Sequence, residues 1–208
     1  MTGELKGLHK LHRYMDQQVL IEAFRAAEKA LLEGERTDLL YGVREGAPPI
    51  AAWPTEPCKL VFLDFDGVLN SDLSVAQLGT RYRFWPPSIK ALNHVLRQTA
   101  ARIVITSTWR EHWTLIENAR ALERDGMLPG RVIGKTAASG GERGAEIDSW
   151  LKSVPYAVAS FVILDDRDDM AMHRPRLVRT DPRIGLGVPE AQRAIETLAT
   201  PWHREARP

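Results

Sequence analysis

Residues 59–67 read KLVFLDFDG, an unbroken apolar run that stops on two carboxylates, Asp64 and Asp66. A parallel strand buried on both faces needs such a run, and in open α/β sheets the ligand binds beyond the carboxyl ends of the strands. Two later stretches repeat the pattern: RIVITSTW (102–109) ends in hydroxyls and FVILDD (161–166) in carboxylates. Helical periodicity fills the intervals. PPSIKALNHVLRQT (86–99) opens on Pro and Ser and places Ile89, Leu92, Val95 and Leu96 on one face. WTLIENARALER (113–124), GAEIDSWL (144–151) and PEAQRAIETLA (189–199) read as further helices, RVIG (131–134) as a weak strand and RLVRT (176–180) as a short edge strand. Strands alternating with helices predict a three-layer, Rossmann-like α/β fold with a parallel sheet covered on both faces.

Upstream the pattern changes. Residues 15–33 place Val19, Leu20, Phe24, Ala27, Leu31 and Leu32 at helical spacing, and APPIAAWPTEP (47–57) carries four prolines. The expected organisation is an amphipathic helix and stiff linker over 1–57, followed by an α/β domain over 58–208. The helix would pack its apolar stripe on the main domain or on a second copy. Over residues 1–45 seven Lys/Arg face eight Asp/Glu, so this segment is no basic nucleic-acid arm.

The 208 residues are 44% hydrophobic and 26% charged, which excludes collagen-like, wholly disordered and disulfide-scaffold chains. A net charge of +1 gives no whole-molecule field for nucleic acid or membrane, so any affinity for phosphate must be local. The single cysteine, Cys58, and an N-terminus lacking the apolar core of a signal peptide predict a cytoplasmic protein, and no stretch is apolar enough for a membrane span.

The strand ends collect Asp64 and Asp66, then Thr106, Ser107 and Thr108 with Arg110 beyond, then Asp165 and Asp166. Four carboxylates on one rim repel one another unless a cation sits among them. Oxygen donors without His or Cys favour Mg2+, which leaves coordination sites for water and a substrate phosphate. The six histidines show no paired ligand spacing. Asp168 and Asp169 read as solvated loop charges.

DFDGVLN (64–70) resembles the signature of the haloacid dehalogenase-like (HAD) superfamily, and three further motifs follow in order: the hydroxyls of IVITSTWR, Arg143 in ERGAEIDSWL, and the acidic pair of VILDDRDD. The resemblance covers residues 59 to about 199. Together with IGLGVPEAQRAIETL it is similar to the capless branch whose members occur within Swiss Army Knife RNA repair proteins and as small phosphatases.

The resemblance implies a Mg2+-dependent phosphomonoesterase. Asp64 would be the nucleophile that forms an aspartyl phosphate, and Asp66, two residues on along an extended chain, the general acid and base. Gly67 would allow a sharp turn beside the phosphate. Mg2+ would be held by Asp64, the Asp66 carbonyl, Asp165 and Asp166. Ser107, preferred over Thr106, would hold a phosphoryl oxygen with the help of Thr108, and Arg143 would clamp the others, with Lys135 as its competitor and Arg110 nearby.

Only about 40 residues separate Asp64 from Ser107 and about 35 separate Ser107 from Arg143, so neither interval holds a cap domain. An open site suits a bulky phosphoester. RYRFWPP (81–87) and TWREHW (108–113) interleave Arg with aromatics and suggest base stacking, hence a polynucleotide end or nucleotide as substrate. A phosphoprotein or metabolite phosphatase, or a non-catalytic phospho-ligand module, are the alternatives.

Overall fold

A computed structural model describes residues 50–203. The amphipathic stretch 15–33 and the start of the proline segment lie outside the described residues. The elements run β1 (Cys58–Leu63), α1 (Asp72–Leu78), α2 (Pro86–Thr99), β2 (Arg102–Ile105), α3 (Leu115–Arg124), β3 (Val132–Lys135), α4 (Arg143–Ser153), β4 (Val158–Asp165), β5 (Leu177–Arg179) and α5 (Val188–Ala199), with single 3-10 stretches at Thr108–Glu111 and Ala171–Arg176. The strands form one sheet in the order β3-β2-β1-β4-β5, and every pairing is parallel. The strand that opens the domain therefore lies at the centre, where both faces need covering. Leu60, Val61, Phe62 and Leu63 are fully buried, as the unbroken apolar run requires.

Strand alternation sorts the two faces. Leu60 and Phe62, paired with Phe161 and Ile163, share a cluster with Val104 and with Ile147 and Leu151 of α4. Val61, Leu63, Val162 and Leu164 point the other way. So does Ser160, whose hydroxyl donates to the Thr200 carbonyl at 2.7 Å, just beyond α5. Helix α4 thus covers one face and α5 the other, with α2 packed on α5. Extending the register one step past Leu63↔Ile105, Leu63↔Leu164 and Ile105↔Lys135 puts Asp64, Asp165, Thr106 and Thr136 in one row on the α4 face.

Two elements differ from expectation. Helix α1 arises in a stretch to which the sequence pattern assigned no element; Ser71 and Ser74 cap it reciprocally, and Gly79 closes it in the left-handed region at φ 68°. The 3-10 stretch at 171–176 is likewise additional. Between Asp64 and Ser107 lie only α1, α2 and β2, and between Ser107 and Arg143 only the short 3-10 stretch, α3 and β3, so no cap domain occurs in either interval. Among the described residues no helix is long and apolar enough to cross a membrane.

Candidate active site

Beyond Leu63 the chain leaves the extended path. The amides of Val68, Leu69 and Asn70 all donate to the Phe65 carbonyl, at 3.1, 2.7 and 2.9 Å, and Gly67 turns the loop with φ +78°. Asp66 is therefore set by this tight loop, which corrects the extended-chain argument for its position. A Cβ on Gly67 would lie 2.6 Å from the Asp166 Cγ, so the glycine serves both a backbone conformation closed to most side chains and a close approach.

That approach completes an acidic cluster. Carboxylate oxygens of Asp64, Asp165 and Asp166 lie within 4.8 Å of one another. Asp64 and Asp165 are buried, Asp166 partly so. Burial first, then the charge of Asp64, pushes the Asp165 carboxyl up to about 7, and the same causes in the same order raise Asp166. Arg143, the first residue of α4, enters from its face of the sheet: Nη2 is 3.4 Å from Asp64 Oδ2 and Nη1 is 3.1 Å from Asp165 Oδ2. One guanidinium does not neutralise three carboxylates, and the contact it makes with the buried Asp165 Oδ2 is an ion pair without hydrogen-bond geometry. The all-oxygen donor set and the uncompensated negative charge fit a hard divalent cation such as Mg2+.

The position of Arg143 depends on a close contact between α4 and the turn after β4. Gly144 sits so near that an added Cβ would be 2.2 Å from the Met170 carbonyl oxygen. Asp169 caps the helix there, its Oδ2 accepting from the Arg143 amide at 3.2 Å and its carbonyl from the Gly144 amide at 3.0 Å. Asp169 is thus a capping residue instead of the expected solvated charge, whereas Asp168 is exposed and pairs with Arg174 at 2.9 Å.

Asp66 stands beside the cluster. The Trp109 indole N–H donates to its Oδ2 at 2.9 Å. Burial raises its pKa; the Trp109 bond opposes this and the charge of Asp64 adds to it. An upward shift is the direction that a general acid needs.

The hydroxyl expectation changes on geometry. Thr106 follows β2 level with Asp64, and its buried Oγ1 has no partner. Ser107 Oγ caps the 3-10 stretch, accepting from the Trp109 amide at 3.4 Å. Thr106 is accordingly the better placed of the two. Thr108 is exposed. Thr136, which sequence reading passed over, sits in the same row with its buried Oγ1 also unpartnered; only the strand register reveals it.

Arg110 and Lys135 are engaged elsewhere. The Arg110 guanidinium donates to the Thr106 carbonyl and forms a buried ion pair with Glu146 of α4. Lys135 Nζ donates to the carbonyls of Arg110 and Trp113 at 2.8 and 3.2 Å. These contacts make both residues braces of the loop after β2, so Arg143 alone of the three basic candidates meets the strand-tip carboxylates. Three of the five aromatics expected to stack bases are core: Phe84, Trp109 and Trp113 are buried, with Trp109 packed against Phe65, Phe84 and Trp113 at centroid distances of 5.4, 5.6 and 4.9 Å, whereas Tyr82 and Trp85 are partly buried.

A parallel α/β sheet whose central strand ends in DFDG, with an acidic pair on the next strand and a basic residue on the covering helix, defines a HAD-like domain. The chain belongs to the family of HAD domains in Swiss Army Knife RNA repair proteins, whose model matches residues 60–191. Among solved structures it is similar to the HAD domain of effector protein Lem4 from Legionella pneumophila, at 14% identity, TM-score 0.47, and coverage of 69% of this chain and 96% of that one. It also aligns with the Legionella pneumophila effector Ceg4 at 12% identity, TM-score 0.44, and coverage of 74% and 99%. No curated protein matches its sequence.

Proposed function

We propose that this chain is a Mg2+-dependent phosphomonoesterase working through an aspartyl-phosphate intermediate. The observation that carries the reading is the juxtaposition of the Asp64–Asp165–Asp166 cluster with a separate Asp66 held by the Trp109 indole. Asp64 attacks phosphorus in line; the bond from phosphorus to the ester oxygen breaks, and Asp66 gives that oxygen its proton. Asp66, now a carboxylate, takes a proton from water as its oxygen attacks the phosphorus of the acyl phosphate, releasing inorganic phosphate and restoring Asp64. Arg143 and the Thr106 hydroxyl hold phosphoryl oxygens. Asp64, Asp165, Asp166 and the Asp66 carbonyl are the residues to hold Mg2+, which supplies charge neutralisation between the phosphate dianion and the nucleophile.

A phosphorylated nucleic-acid end or nucleotide is the substrate class we favour. It is supported by membership of a family described from RNA repair proteins and by the lack of a cap between the motifs.

The test is phosphate release from an aryl phosphate with and without Mg2+, for the wild type and Asp64→Asn. Turnover should need both the metal and Asp64; equal, metal-independent rates overturn the reading. Comparing 3'- and 5'-phosphorylated oligonucleotides with mononucleotides then sorts the substrate, and a strong preference for mononucleotides removes the polynucleotide assignment.

A further inference from the structure

The loop between α1 and α2 carries one cation that the mechanism above leaves unused. Its backbone is anchored residue by residue. Asn70 Nδ2 donates to the Arg81 carbonyl at 2.6 Å, Arg124 Nη2 to the Tyr82 carbonyl at 2.6 Å, and the Phe84 amide donates to Asp125 Oδ2 at 2.8 Å. The neighbouring guanidiniums are committed: Arg83 and Arg124 both pair with Asp125, at 2.6 and 2.9 Å. Arg81 is the exception. Its side chain is half-buried and forms no ion pair or hydrogen bond among the described residues, and the adjacent Tyr82 packs on Trp109, the indole that binds Asp66, at a centroid distance of 5.9 Å. Asn70, which anchors its backbone, also bridges to Asp66 through the main chain.

Asp66 protonates the leaving oxygen, so a cation beside Asp66 faces the alcohol part of the ester and not the phosphoryl group being transferred. An arginine fork on a fixed backbone, with its donors unoccupied, matches the paired oxygens of a phosphate. We propose that Arg81 forms a second anion subsite, which selects phosphomonoesters whose alcohol part carries a further phosphate. The inference rests on the phosphatase reading and names the substrate class of that site. The second phosphate can come from a polynucleotide backbone or from a bisphosphorylated nucleoside.

The test compares kcat/KM for four substrates: a 3'-phosphorylated dinucleotide, a nucleoside 3',5'-bisphosphate, and the corresponding 3'- and 5'-monophosphates as references. At least one of the first two should exceed both references about tenfold or more, since a charge-assisted pair is worth at least that factor. Which of them does so identifies the source of the phosphate. In Arg81→Gln the ratio should fall to about one, and in Arg81→Lys part of it should survive. Because the readout is a ratio within each variant, a general loss of rate or of folded protein does not imitate the effect. An unchanged ratio in Arg81→Gln, or turnover by the wild type without preference, overturns the inference and leaves the phosphatase reading intact. Absence of turnover even on an aryl phosphate overturns that reading itself.

Discussion

Replacing Gly144 by alanine sets two physical rules against each other. On helix propensity alone the change stabilises α4, by up to about 1 kcal/mol. The packing says otherwise, because the new Cβ would lie 2.2 Å from the oxygen and 2.3 Å from the carbon of the Met170 carbonyl, both backbone atoms that cannot rotate away. The start of α4 has to lift off the turn after β4. Such overpacking costs about 1–3 kcal/mol. Lifting also weakens the two bonds from the Arg143 and Gly144 amides to Asp169, each worth about 1 kcal/mol. The net expectation is a loss of about 2–4 kcal/mol. For a domain of this size that lowers Tm by roughly 5–15 °C. The same movement draws Arg143 from Asp64 and Asp165, so phosphatase activity should fall even well below Tm. Thermal melting followed by circular dichroism reads the first effect and aryl phosphate turnover the second. A variant as stable as the wild type, or more so, would refute the claim that this contact places Arg143.

Three further outcomes follow from the same geometry. Gly67→Ala should raise the Kd for Mg2+ about tenfold by calorimetry, since a left-handed alanine costs about 1–2 kcal/mol and its methyl displaces the Asp166 carboxylate; an unchanged Kd contradicts the cradle. Asp165 is held at about 7, above its ordinary 3.8, so the folded state keeps a proton that the unfolded chain has released. Metal-free stability should therefore fall as pH rises from about 4 to about 7, and the Tm gain from Mg2+ should be larger at pH 8 than at pH 5; an equal gain at both contradicts this. Arg110→Met leaves Glu146 buried without its partner and should cost about 3–5 kcal/mol in urea unfolding, most of it recovered when Glu146→Leu is added; a loss below about 1 kcal/mol would show that the pair is no brace.

The parallel sheet and its main strands were legible because a strand buried on both faces must be apolar throughout, and KLVFL, RIVI and FVIL have few other uses; the order of the strands across the sheet was not. The carboxylates closing β1 and β4 stood out for the same reason, as charges directly after runs that exclude them. What stayed hidden depends on contacts between distant residues. Nothing near Arg110 announces Glu146, so a basic residue beside the site read as a phosphate ligand. Thr106 and Ser107 could be separated only once β2 was seen to end at Ile105. Thr136 follows a weak strand and gains meaning only from its register. Helix α1 is short and capped by a pair of serines, so it lacks the acidic capping signature that a sequence displays openly. The aromatic–arginine interleaving misled at Phe84, Trp109 and Trp113, because an aromatic beside an arginine reads the same in sequence whether it faces solvent or is buried.

In the proposed reaction Asp64 carries the phosphoryl group. The direct measurement is acid quenching during steady-state turnover of an aryl phosphate with Mg2+, followed by mass spectrometry of the peptide containing residue 64. A phosphoryl adduct should appear on Asp64 in the wild type and not in Asp64→Asn, which should also be inactive. Turnover by Asp64→Asn at the wild-type rate, or an adduct on any other residue, would contradict it.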